Sequence, residues 1–170
     1  EPVGQFGSRI EGGKDSAQPR YIHTHLSPIT TKLYDKRDEP LLKYLEDDGQ
    51  CVEPEYYMPI LPMILVNGAS GIGTGWSTDV PCYNPKDIMD NMLRYLNSEE
   101  LEPMKPWYRG FKGRIIQTSP TSFVSKGIFK IVGDTVEITE LPIHVWTDKY
   151  KEFLENIIIE TSKSDDKKKK

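Results

Sequence analysis

The sequence is poor in sulfur and in long apolar runs. Its 170 residues include two cysteines, Cys51 and Cys82, and no Asn-x-Ser/Thr glycosylation signal. Two thiols cannot build the multi-bridge framework of a small secreted domain, so an intracellular, reduced setting is expected. No apolar stretch approaches the roughly 18 residues of a membrane-spanning helix, so no membrane partner is expected. The opening Glu1-Pro2-Val3 has neither an initiator Met nor the apolar core of a signal peptide, and the sequence reads as a piece of a longer protein. Acidic residues are absent from 103–133, although the chain as a whole carries a net charge of −4.

That acid-free window contains Lys105, Arg109, Lys112, Arg114, Lys126 and Lys130, interleaved with Trp107, Tyr108, Phe111, Phe123 and Phe129. Such a mixture suits a polyanion-binding face, where cations neutralise phosphate and flat rings supply contact area. It equally suits a β-meander whose polar face is basic. Residues 161–170 (TSKSDDKKKK) hold five lysines and two aspartates, leaving 17 basic and 24 acidic groups in residues 1–160. This low-complexity tail is expected to be disordered and solvated.

With 13 glycines and 13 prolines, the chain points to an α+β class and not to a helical bundle. Residues 1–18 are glycine-rich and polar. Ile22, Leu26, Ile29 and Leu33 recur at helical spacing, with Pro28 interrupting, and a second helix is expected from Asp38 or Glu39 to Gly49. MPILPMILVN (58–67) carries two prolines and predicts an irregular extended strand. Asn84-Pro85-Lys86-Asp87 predicts a capped helix with Ile88, Met89, Met92, Leu93 and Leu96 as its apolar stripe. GRIIQT, SFVSKGIFKIV and TVEITEL predict a meander over 113–140, followed by a helix from Thr147 to about Glu160. The expected organisation is a mostly helical 1–58, an α+β unit over 59–160, and the tail 161–170.

Several chemistries are excluded by spacing. GASGIGTGW (68–76) fits neither the phosphate-loop order nor Gly-x-Gly-x-x-Gly, and Ser70 lacks the second flanking glycine of a nucleophile elbow. His23 and His25 have no Cys pair or Glu-x-x-His nearby, and Glu46-Asp47-Asp48 reads as a solvated helix end, so no metal site is expected. What remains is Arg20-Tyr21. A tyrosine hydroxyl with a pKa near 10 is a poor nucleophile unless a cation stabilises its anion. Arg20 is permanently charged and can fork onto a phosphate. By itself the dipeptide is common and compatible with a purely structural role.

The surrounding motifs decide between those readings. GQFGSR (4–9), GGKDSA (12–17), PRYIHT (19–24), VEPEYYMPILPMILVNGASGIGTGW (52–76), PWYRGFKG (106–113) and ITELPIHVWT (138–147) occur in this order. Together they closely resemble the DNA breakage–reunion region of eukaryotic-type DNA topoisomerase II, across nearly all of residues 1–160.

The resemblance implies that Tyr21 attacks a DNA phosphodiester and becomes linked to the 5′ phosphate, with Arg20 stabilising the transition state. It implies that Ile72 wedges between base pairs, that Trp146 lies near DNA, and that Lys14 sits where the backbone meets phosphate. Residues 1–58 would be the later part of a winged-helix domain and 59–160 the start of a tower domain. Double-stranded DNA is the implied partner, a homodimer the implied assembly and the nucleus the implied location. Mg2+ and ATP would be bound outside this chain, in a TOPRIM domain and an ATPase region, so this piece alone is expected to be inactive. Ser70 where many members have Glu, Tyr56 where Trp is frequent, and Gln18-Pro19 before the arginine are departures that leave Tyr21, Arg20 and Ile72 untouched. The alternative is a non-catalytic module that binds and bends DNA.

Overall fold

The computed structural model describes residues 2–168. In chain order its elements are β1 (Pro2–Val3), β2 (His23–Thr24), α1 (Thr30–Leu33), β3 (Tyr44–Asp47), β4 (Gln50–Pro54), α2 (Met63–Asn67), β5 (Ala69–Gly73), β6 (Trp76–Val80), α3 (Pro85–Leu96), β7 (Arg114–Ser119), β8 (Ser122–Lys126), β9 (Ile128–Val132), β10 (Thr135–Glu140) and α4 (Thr147–Lys168), with 3-10 turns at Pro19–Tyr21 and Lys36–Leu41. This is an α+β chain, as the composition indicates. Its strands form antiparallel pairs, β1–β2, β3–β4, β5–β6, β7–β8 and β9–β10, each a separate two-stranded ladder. The run 113–140 is therefore two hairpins and not one continuous meander.

Two compact units emerge, Leu26–Gly110 on the one hand and Glu1–His25 with Phe111–Lys170 on the other. The chain thus divides at 25/26 and 110/111, whereas the sequence reading put its junction near Pro59.

Within Leu26–Gly110, α3 anchors the packing. The Asn84 side chain accepts a hydrogen bond from the Lys86 amide at 3.0 Å. Pro85 takes the first helical position, where a missing amide proton is harmless. Ile88 is 1% exposed, the one fully buried apolar side chain among the described residues. Asn91 fixes the segment after the helix: its Nδ2 donates to the Glu102 carbonyl at 2.9 Å and its Oδ1 accepts from the Glu102 amide at 2.8 Å.

Three local readings change here. Residues 22–29 are not helical, and α1 starts only beyond Pro28, with the Thr30 amide donating to the Ser27 carbonyl at 2.9 Å. Instead of a helix ending at Gly49, residues 44–54 form the β3–β4 hairpin. Asp48 and Gly49 have φ of 48° and 76°, the left-handed pair that an Asp-Gly hairpin turn requires. Met63–Asn67 is a short helix and not an extended strand. Pro59 and Pro62 both precede it, so neither removes a hydrogen bond from its interior.

In the other unit, the loop after β10 is pinned to β8, because the Ile143 amide donates to Ser125 Oγ at 3.1 Å. Glu140 accepts from the Lys112 amide at 3.0 Å. Gly127, joining β8 to β9, has no room for a side chain, since a Cβ there would lie 2.0 Å from the Glu140 carbonyl oxygen. Helix α4 begins at Thr147 as expected but extends to Lys168, so residues 161–168, expected to be disordered, have helical backbone. Residues 169 and 170 of the tail lie outside the described residues.

Candidate functional site

Arg20 and Tyr21 occupy a single 3-10 turn. Gln18, preceding a proline, is held extended (φ −62°, ψ 147°), and Pro19 supplies the first helical φ. The Tyr21 amide donates to the Gln18 carbonyl at 2.9 Å. Two residues later β2 pairs with β1, Val3 opposite His23, so the turn is closed by a ladder on its C-terminal side. Gly4 passes so close that a Cβ there would meet Ile22 at 3.3 Å and the Tyr21 carbonyl at 3.4 Å. The backbone is therefore fixed while both side chains face outward: Tyr21 is 67% exposed, and the Arg20 guanidinium lies 5.9 Å from its ring centroid. A phenol open to solvent with a permanent cation beside it can reach an external phosphate.

Residues 5–17 return to this turn as a closed loop, with the Ala17 amide donating to the Gln5 carbonyl at 2.9 Å. Asp15 braces it from within. Its Oδ1 accepts from the Ser8 amide at 2.8 Å and its Oδ2 from Gln5 Nε2 at 3.0 Å. The Ser8 hydrogen bonding, supported by Gln5, holds the Asp15 carboxyl below the usual carboxylate range. Lys14, between Gly13 and Asp15, is exposed. Trp146, just before α4, is half-buried with Gly12 against its indole, in the same unit as Lys14, Arg20 and Tyr21.

Ile72 belongs to the other unit, at the end of the β5–β6 hairpin. Gly73 pairs with Trp76 and Ile72 with Ser77, leaving Thr74-Gly75 as the turn, with Gly75 at φ 78°. Opposed residues share a face, so Ile72 and Trp76 project from opposite faces of this ribbon. Both are open to solvent, Ile72 at 95% and Trp76 at 85%. The glycines at 71 and 73 give the tip no side-chain cover.

The acid-free window does not act as one surface. Lys105, Arg109, Trp107 and Tyr108 lie in one unit, whereas Lys112, Arg114, Lys126 and Lys130 lie in the other. Arg114 and Lys126 are directly opposed on β7–β8, and Lys130 is paired with Glu137 at 2.8 Å. Burial, aided by Cys82, Asp79 and Tyr83, pushes the Tyr108 hydroxyl above the ordinary phenol range, which makes it a poor nucleophile. Glu46, Asp47 and Asp48 are exposed on the β3–β4 hairpin. Among the described residues no three His, Cys, Asp or Glu side chains come together to hold a metal ion. No described helix is long and apolar enough to cross a membrane.

Comparison with known proteins now bears on these side chains. Residues 1–169 match the DNA gyrase/topoisomerase IV family. The chain belongs to this topoisomerase family.

Its relatives include DNA topoisomerase 2 of Plasmodium falciparum, 56% identical over 159 residues, and that of Candida albicans, 56% identical over 155 residues. These alignments cover 93% and 91% of the chain and 11% of each relative. A solved Plasmodium falciparum structure, the topoisomerase II DNA-binding, cleavage and re-ligation domain, superimposes with a TM-score of 0.86 at 56% identity. It covers 93% of this chain, which in turn spans 22% of that structure. The resemblance carried by the motifs thus holds at the level of family and fold. Within this topoisomerase chain, sequence reasoning missed two residues: Gly12, whose contact with Trp146 no spacing rule signals, and Trp76, whose exposure follows from hairpin pairing.

Proposed function

We propose that this chain is the tyrosine-bearing portion of a type IIA DNA topoisomerase. The observation that carries the reading is the Arg20–Tyr21 turn, a fixed backbone presenting an exposed phenol beside a permanent cation. Tyr21 Oη attacks the phosphorus of a DNA phosphodiester. The bond from phosphorus to the 3′ oxygen breaks, the 3′ hydroxyl leaves with a proton, and a phosphotyrosyl ester to the 5′ phosphate forms. Because the ester conserves the phosphodiester's free energy, the reverse attack by the 3′ hydroxyl reseals the strand. Arg20 stabilises charge on the non-bridging oxygens as it develops.

Lys14 contacts the DNA backbone, and Trp146 belongs to the same DNA-facing side. Ile72 enters a base step and bends the duplex, a role that suits a branched apolar side chain 95% exposed at a hairpin end. In this reading residues 1–58 belong to a winged-helix domain and 59–160 to the start of a tower domain. The longer protein works as a homodimer in the nucleus, and its ATP and Mg2+ chemistry belongs to parts outside this chain.

The test is to incubate the full-length enzyme with duplex DNA, denature it, digest the DNA and map the modified peptide by mass spectrometry. A nucleotide joined through its 5′ phosphate to Tyr21 is expected. DNA binding and bending without any adduct would favour the non-catalytic alternative, and an adduct on another tyrosine would overturn the assignment.

A further inference from the structure

Trp146 and Gly12 are in closer contact than any residue but glycine would permit. A Cβ built on Gly12 would lie 2.3 Å from Trp146 Cε2 and 2.4 Å from Nε1, so the indole occupies the space of the missing side chain. Gly12 and Gly13 have φ of 66° and 86°, two consecutive left-handed residues that reverse the chain just before Lys14. The reversal is compact, because a Cβ on Gly7 would lie 2.6 Å from the Gly13 Cα. On the far side of Lys14, the Asp15 carboxylate is bound to Ser8 and Gln5.

The indole is itself well supported. The Trp146 carbonyl accepts from the Tyr150 amide at 3.0 Å, opening α4, and the Asp148 amide donates to the Ile10 carbonyl at 3.2 Å. Helix α4 therefore grips the loop twice, by a hydrogen bond at Ile10 and by a ring at Gly12. Lys14 stands between two fixed points, the indole and the carboxylate.

We propose that Trp146 is a positioning residue, which sets the Gly12-Gly13 reversal and thereby aims the Lys14 ammonium at the DNA backbone. This rests on the reading of Lys14 as a phosphate contact. A face of the indole turned to Gly12 is turned away from any duplex, so the ring acts through the loop. It lowers the entropy that Lys14 must lose on meeting a phosphate.

The test uses the full-length enzyme and a plain DNA duplex, with affinity measured across a salt series. Lys14→Ala is expected to weaken binding and to reduce the slope of log K against log salt by about one. Trp146→Ala is expected to do the same, Trp146→Phe to retain most of the affinity, and Gly12→Ala to reproduce Trp146→Ala by displacing the ring. The double variant Lys14→Ala/Trp146→Ala should bind within about twofold of Lys14→Ala alone, the non-additivity of residues acting as a unit. Losses that multiply would overturn the proposal and indicate that the ring meets DNA on its own account.

Amide hydrogen exchange at residues 12–14 reads the loop without DNA. It should rise in Trp146→Ala and in Gly12→Ala, and unchanged exchange in both would overturn the proposal. If Lys14→Ala leaves affinity and slope unaltered, the assigned phosphate contact fails and the aiming role fails with it. Raised exchange in the Trp146 variant would then mark an error in the reading of Lys14, not in the contact between ring and loop.

Discussion

The guanidinium carbon of Arg20 lies 5.9 Å from the centroid of the Tyr21 ring, and neither side chain is buried. A cation beside the π face gains a modest attraction, but the pair's chemistry depends on what the guanidinium can do for a third group. Its planar fork can hold two phosphate oxygens at once, whereas an ammonium is a point charge on a flexible stem.

Arg20→Lys in the full-length enzyme should therefore impair cleavage despite keeping the charge. Loss of a donor aimed at transition-state charge typically costs about 3–4 kcal/mol, a rate factor of roughly 10²–10³. Single-turnover cleavage rates check this, and a Lys variant within about threefold of wild type would mean that Arg20 supplies only a diffuse field.

Tyr21→Phe removes one oxygen from a ring that is 67% exposed. Folding stability should change by less than about 0.5 kcal/mol, as for surface positions generally. DNA affinity should stay within a few-fold, while covalent adduct disappears. An adduct surviving in this variant would eliminate Tyr21 as the nucleophile.

Ile72→Ala separates a wedge from a core residue. A buried isoleucine truncated to alanine costs about 2–5 kcal/mol, but Ile72 is 95% exposed. The unfolding midpoint is therefore expected to stay put while the bend angle falls, because nothing offsets the few kcal/mol of unstacking a base step. Energy transfer between dyes at the duplex ends reads the angle. Lost stability with an unchanged bend would contradict the wedge.

Two carboxylates predict a signature in acid. Asp35 is bound by its neighbour, with Arg37 Nη2 at 2.5 Å and the Arg37 amide at 2.9 Å, and its pKa is lowered from 3.8 to about 2. Asp15 is lowered from 3.8 by Ser8 and Gln5. A depressed native pKa favours the folded form above the unfolded value. Both contributions should therefore be complete above about pH 4 and fade as pH falls, for Asp35 down to about 2. Carboxyl-carbon NMR titration should give a midpoint near 2 for Asp35 and one below 3.8 for Asp15. Ordinary midpoints would mean that neither tie forms in solution.

What could be read from the sequence was local and self-signalling. Asn84-Pro85 caps α3 with its own side chain and needs no distant partner, and the glycines of 68–75 require a turn wherever they fall. Arg20-Tyr21 became legible only through the ordered motifs around it, since a turn of three residues leaves no periodic trace. The misreadings arose where two local rules competed. Leu41, Leu42, Tyr44 and Leu45 match a helical stripe, yet Asp48-Gly49 is also a hairpin turn, and strand pairing won. Pro59 and Pro62 argued against a helix, although both lie ahead of its first turn. The contact of Trp146 with Gly12 joins residues more than 130 positions apart in the sequence, a separation that no periodicity reports.

The solitary burial of Ile88 has a calorimetric consequence. Unfolding raises heat capacity by about 12–15 cal/mol/K per residue in ordinary domains, chiefly because apolar groups meet water. Here nearly all the described apolar side chains are already at least partly wetted when folded. The 170-residue chain on its own should consequently show a heat-capacity step well below that range and a broad melt. Its stability curve would be flatter, changing little between cold and warm conditions.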